Sequence, residues 1–90
     1  MAKLVTLLSA VGATGAGTAN DTTQDKMTFH CEGITTATVD VQVSNDGTNY
    51  IDSGLSFTAD GVGAVDGPFK QVRGNVSAHT TGTITLTALV

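Results

Sequence analysis

Ala37-Thr38-Val39-Asp40-Val41-Gln42-Val43-Ser44-Asn45-Asp46-Gly47-Thr48-Asn49-Tyr50-Ile51-Asp52 is the stretch from which the fold can be read. Ala37, Val39, Val41 and Val43 alternate with Thr38, Asp40 and Gln42. That period of two puts alternate side chains on opposite faces of a strand, one toward a core and one toward water. Asp46-Gly47 then falls in a short polar loop ahead of a second β-prone run, and such a pair supplies the positive φ angles that a hairpin turn needs. The stretch predicts an antiparallel strand pair with one buried face. It carries no chemistry of its own.

The same alternation recurs on either side. Lys26 to Glu32 sets Met27, Phe29 and Cys31 against Thr28 and His30, which predicts a strand, and Gly33-Ile34-Thr35 predicts a turn into the long strand from Thr36 to Val43. Tyr50 to Ser53 is expected to pair back, with Leu55, Phe57 and Ala59 forming another short piece. Asp60-Gly61, Gly63 and Asp66-Gly67-Pro68 punctuate the next segment into loop or edge. From Phe69 alternation resumes through Val72, Gly74, Val76 and Ala78. After a predicted turn at His79-Thr80-Thr81-Gly82, Ile84, Leu86, Ala88 and Val90 share a face, so these two runs read as a closing hairpin.

Toward the N-terminus, Leu4 to Ala13 after Met1-Ala2-Lys3 has the outline of a short signal peptide. Thr6 and Ser9 interrupt its apolar run, which is far shorter than the ~20 residues a membrane span needs, so residues 3–10 are read as a strand. Val11 to Asp25 is rich in Gly, Ala, Thr and Asn without either periodicity. It reads as an extended arm or loop ordered against something other than its own domain.

No run of ten or more residues carries a capped helical stripe. The chain is therefore expected to be all-β, one small β-sandwich or barrel of six to eight short antiparallel strands, in a single domain spanning 1–90 with strand 3–10, arm 11–25 and β core 26–90. The expected core is Leu4, Leu8, Met27, Phe29, Val39, Val41, Val43, Ile51, Leu55, Phe57, Val72, Val76, Ile84 and Leu86.

Composition narrows the function classes. A 90-residue chain buries only roughly 60–65% of its unfolded surface, so its own core is modest. Cys31 is the only cysteine, which rules out an intrachain disulfide, and such small unstapled domains often gain burial by oligomerising. Eight acidic against four basic residues give a net charge of -4, which repels a phosphate backbone, so no direct nucleic-acid contact is expected. Only 13% of residues are charged, and a surface of Thr, Ser, Ala and Asn costs less to desolvate against protein than one of Lys and Glu.

Candidate chemistry is sparse. His30 and Glu32 share a strand face while Cys31 points the other way, so the triplet does not converge on one metal, and His79 lies in a predicted loop. Gly12-Ala13-Thr14-Gly15-Ala16-Gly17-Thr18 lacks the Lys-Ser/Thr ending and following helix of a phosphate loop. Asn45-Asp46-Gly47, Asp60-Gly61 and Asp66-Gly67 are turn chemistry without the spacing of a calcium loop, although a weak calcium site shared between loops stays open. Asp40 with Asp52 across the hairpin would sit on an exposed face with no apolar pocket to separate their pKa values. Neither an enzyme nor a cofactor is expected.

The run Val39 to Tyr50, the Gly-rich middle, Gly67-Pro68-Phe69-Lys70-Gln71-Val72-Arg73-Gly74-Asn75-Val76 and the Thr-rich final strand together resemble small all-β virion proteins of tailed bacteriophages. The resemblance covers about Thr36 to Val90 and departs at Tyr50, where a tryptophan is common. It implies a capsid decoration or cement protein. Such a subunit is made in the host cytoplasm and placed on the virion surface, contacts the major capsid protein and associates with copies of itself as a dimer or trimer, with no membrane partner. On that reading the arm, with Thr14, Thr18 and Asn20, and the anchors Tyr50, Phe69 and Arg73 carry the protein contacts, because aromatic and Arg residues dominate interface energetics. Arg73 has a second reading as a surface residue pairing Asp52 or Asp66. A neck or tail component is the alternative within the same class. A carbohydrate- or receptor-binding β-sandwich is the alternative outside it, disfavoured by the absence of Trp and the presence of one Tyr.

Overall fold

The computed structural model describes residues 2–90. These residues form seven antiparallel strands in one open sheet with no helix: β1 (Leu4–Val11), β2 (Gly15–Ala16), β3 (Asn20–Asp21), β4 (Lys26–Ser44), β5 (Ile51–Phe57), β6 (Gly61–Asp66) and β7 (Gln71–Leu89). The all-β expectation is met. Its connectivity differs from the sequence reading in an instructive way.

β4 and β7 each run for 19 residues and pair along almost their whole length, from Thr28↔Leu89 to Ser44↔Gln71. A straight strand of that length would span ~60 Å at ~3.3 Å per residue, while the molecule's longest dimension is 33 Å. The pair must therefore bend. Register shifts cluster between Glu32 and Val39, where Gly33 (φ 88°) and Gly82 (φ 120°) sit near one another on the two strands. A Cβ on Gly33 would stand 1.9 Å from the Thr83 carbonyl oxygen, and one on Gly82 2.6 Å from the Gly33 carbonyl oxygen. Only glycine tolerates both the backbone angle and the approach.

The turns expected at Gly33-Ile34-Thr35 and at His79-Thr80-Thr81-Gly82 are thus bends inside continuous strands. The proposed closing hairpin does not exist: the segments beginning at Gln71 and ending at Leu89 both pair with β4 rather than with each other. Breaker residues mark such a bend and a chain reversal with the same letters.

The bend folds the sheet on itself. One half is β6, the N-terminal part of β4, the C-terminal part of β7 and β1, and the other is β5, the C-terminal part of β4, the N-terminal part of β7 and the short β2 and β3. Met27, Phe29 and Cys31 from one half and Val39, Val41 and Val43 from the other share a single core with Val72, Val76, Ile84 and Leu86. A Cβ on Gly74 would come within 2.7 Å of Leu86 and 3.1 Å of Leu8, which shows how closely the two halves approach. Full burial of each large side chain contributes roughly 1.5–3 kcal/mol.

Two expected core residues lie outside. The register shift between Thr6 and Leu8 is a bulge, so Leu7 and Leu8 are both buried and Leu4, on the far side of it, is 70% exposed. Ile51 lies opposite Val43 at the rim and is 70% exposed, since nothing covers that corner.

Residues 11–25 are extended, but their order comes from their own domain. Gly15 and Ala16 pair with Val76 and Asn75, Asn20 and Asp21 with Val72 and Gln71. The Gly17 amide donates to the Gly74 carbonyl at 2.8 Å, the Thr22 amide to Lys70, and the Thr23 hydroxyl to Val90 at 2.9 Å. The segment is a broken edge strand along β7. Its Gly and Ala content, read as arm composition, serves close approach: a Cβ on Gly17 would lie 2.1 Å from the Leu7 carbonyl oxygen.

Candidate functional site

The loop after Ser44 orients the hairpin that presents the candidate site. Asp46 Oδ1 accepts from the Thr48 and Asn49 amides at 2.8 Å each and from the Ser44 hydroxyl at 2.9 Å, while Oδ2 accepts from Asn49 Nδ2 at 2.9 Å. The two backbone amides, then the side chains of Asn49 and Ser44, hold its carboxyl well below the usual carboxylate range. Gly47 takes φ 77°, as the hairpin reading requires. Ser44 is buried and closes the turn by accepting from the Gly47 amide at 2.9 Å.

With the turn fixed, Tyr50 lies over β7. The Arg73 guanidinium stands 4.2 Å from its ring centroid, a cation–π arrangement. Arg73 Nε donates to Gln42 Oε1 at 2.8 Å, and Gln42 Nε2 donates to Asp52 Oδ1 at 2.9 Å. On the other side the Tyr50 hydroxyl donates to Gln71 Oε1, and Gln71 Nε2 donates to Asp21 Oδ1 at 2.7 Å. The result is a polar ladder, Asp52–Gln42–Arg73–Tyr50–Gln71–Asp21, crossing β5, β4, β7 and β3 on the outer face of one half-sheet. Three of its links are set by strand register, since Gln42 faces Asp52 and Arg73, and Gln71 faces Asp21; the two through Tyr50 are set by the turn that precedes β5.

Of the sequence-predicted interface residues, Tyr50 and Arg73 are brought together, and Asn20 lies on the adjoining edge beside Asp21, its Nδ2 donating to the Thr18 carbonyl at 3.3 Å. Thr18 is exposed there, and Thr14 is exposed beside β2 at the other end of the edge. Phe69 is not part of this face. It packs against the core and lines two hollows, one of about 320 Å³ beside the Asp46 loop and one of about 370 Å³ between β5 and β6. Arg73 reaches Asp52 only through Gln42. The ladder glutamines were missed because an outward Gln on a strand is ordinary; their alignment depends on a pairing register that one strand does not encode.

The remaining candidates separate. Asp40 faces Ser56, so it is not the cross-strand partner of Asp52. His30 and Glu32 point outward and Cys31 inward, and among the described residues no three or more His, Cys, Asp or Glu side chains are grouped to hold a metal ion. Asp60 accepts from the Ile34 amide at 2.9 Å and so braces the bend. Burial, then the nearby Asp60 and Glu32 carboxylates, pushes the Cys31 thiol up to about 11, which leaves it unreactive at neutral pH.

The outer face of the opposite half-sheet has another character. Leu4, Val62 (78% exposed) and Leu89 (45% exposed) surround a shallow hollow of about 290 Å³ that Thr28, His30 and Thr87 also line.

No protein-family model matches the chain, and no curated protein matches it in sequence. A solved structure, that of the SPBc2 prophage-derived protein YomS, is similar over 100% of this chain and 92% of its own, with a TM-score of 0.85 at 14% sequence identity. The chain shares the bent-sheet fold of that prophage-derived protein.

Proposed function

We propose that the chain is a structural protein of a tailed-phage particle, a head decoration (cement) subunit that binds the major capsid protein on the outside of the shell. The observation that carries this reading is the full-length likeness to a prophage-derived protein, with a TM-score of 0.85. The surface supports it. The most organised polar feature is the Tyr50–Arg73 ladder, a fixed aromatic–guanidinium pair of the kind that anchors protein interfaces. Its hydrogen bonds hold both side chains in place before binding, which lowers the ordering cost of association.

The mechanism is linkage. A subunit that contacts two neighbouring capsid proteins only in the expanded shell stabilises that shell in proportion to RT ln(1 + [L]/Kd), about 2.7 kcal/mol at a hundredfold excess over Kd. No bond is made or broken. The test is the survival of particles lacking the chain after heating, with and without added protein. Added wild-type chain is expected to raise the inactivation temperature, and Arg73→Ala, which removes the anchor but no core contact, is expected to weaken protection at least about tenfold in concentration. Equal survival with and without the protein contradicts the proposal.

A further inference from the structure

We propose that the outer face formed by β6, the N-terminal part of β4, the C-terminal part of β7 and β1 is where two copies of this chain pack against one another. The inference stands independently of the particle role. Register builds the face in rows: Leu4, Leu89, Thr28 and Ala64 in one, Thr6, Thr87, His30 and Val62 in the next. Leu4 and Leu89 form a ridge on one side of the hollow and Val62 on the other, all three substantially exposed. Neither row contains a carboxylate, lysine or arginine, whereas the opposite half-sheet presents Asp21, Asp40, Asp52 and Arg73.

Charge selects the occupant. Two copies that each carry a net charge of -4 repel unless they meet on a face free of acids, and these rows provide one. The charges at its two ends are opposite in sign. The outward residues of this part of β4 are Lys26, Thr28, His30 and Glu32, with Lys26 at one end and Glu32 at the other, ~20 Å apart by strand rise. An antiparallel, two-fold contact sets Lys26 of each copy against Glu32 of the other and crosses Thr28 with His30. Asp66, in register with Lys26, lies on the edge strand, where solvent screens it.

The size is adequate. Four strands at ~4.8 Å spacing and about seven residues of rise give roughly 400 Å² of plan area per copy. Side-chain relief brings the pair to on the order of 1,000 Å², the lower end of specific interfaces. An area at this lower end suits a weak, reversible self-association.

Sedimentation of the isolated full-length chain over about 1 to 200 µM is expected to show a monomer–dimer equilibrium. Val62→Lys is expected to raise the dissociation constant at least about tenfold, by placing a charge in the apolar row. Lys26→Glu and Glu32→Lys are each expected to weaken the dimer, and the double variant to return it to within about threefold of wild type. All three substituted positions carry exposed side chains, and unchanged circular dichroism confirms that each variant folds. A wild-type chain monomeric at about 200 µM, a dimer that survives Val62→Lys, or a double variant no tighter than the singles overturns the proposal.

Discussion

Asp46 shows how one residue positions a surface it does not belong to. Its carboxylate gathers two backbone amides and two side chains, and the turn so fixed delivers Tyr50 onto Arg73. A carboxyl whose folded pKa is depressed contributes stability that is present above its unfolded pKa of ~3.9 and is lost as pH falls through the folded value. Acid titration of the melting temperature is therefore expected to show a fall beginning near about pH 4 that Asp46→Asn flattens. An acid limb of the same steepness in the variant would remove Asp46 from that role. The motif was legible: Asn45-Asp46-Gly47 announces a hairpin turn by its residue types alone. The carboxylate's partners were not, since they are set by the closed loop.

Among the elements, β4 and β7 carry the argument. Gly33→Ala places a methyl against the Thr83 carbonyl at a φ of 88°. A cost of at least about 3 kcal/mol is expected, read as a fall in melting temperature on the order of 15 °C for a domain of this size. A change of only a few degrees would show that the bend has other support. The edge segment makes a second, opposite point to the arm reading. Because the stretch from Gly15 to Asp21 pairs with β7 and Gly17 packs on Leu7 and Leu8, deleting it uncovers core and unpaired backbone. Chemical denaturation is expected to find the deletion variant far less stable than the full chain. An unchanged midpoint would restore a dispensable arm.

Strand identity was legible because alternation is local: Met27, Phe29 and Cys31, then Val39, Val41 and Val43, all lie inward as their spacing requires. What joins them was not. Gly33 bends rather than reverses because Gly82, the ladder partner of the next residue Ile34, lies against it, a relation between residues far apart in sequence. The bulge in β1 likewise moved Leu4 from the expected core to the surface, since one inserted residue exchanges inside for outside. The candidate site was half visible. Tyr50 and Arg73 stand out by type and Asp52 as a candidate partner of Arg73, whereas Gln42, Gln71 and Asp21 join them only through register.

At the scale of the whole molecule, one bent sheet presents two unlike outer faces, a charged ladder and a nearly uncharged apolar face. On the proposed decoration reading, the first face would meet the shell and the second another copy of the chain. Imaging phage particles by electron cryomicroscopy with and without the chain tests this account most directly. It predicts difference density of this bent-sheet shape on the outside of the head, with the Tyr50–Arg73 face toward the capsid protein. Density confined to the neck or tail, or no difference between the particles, would contradict it.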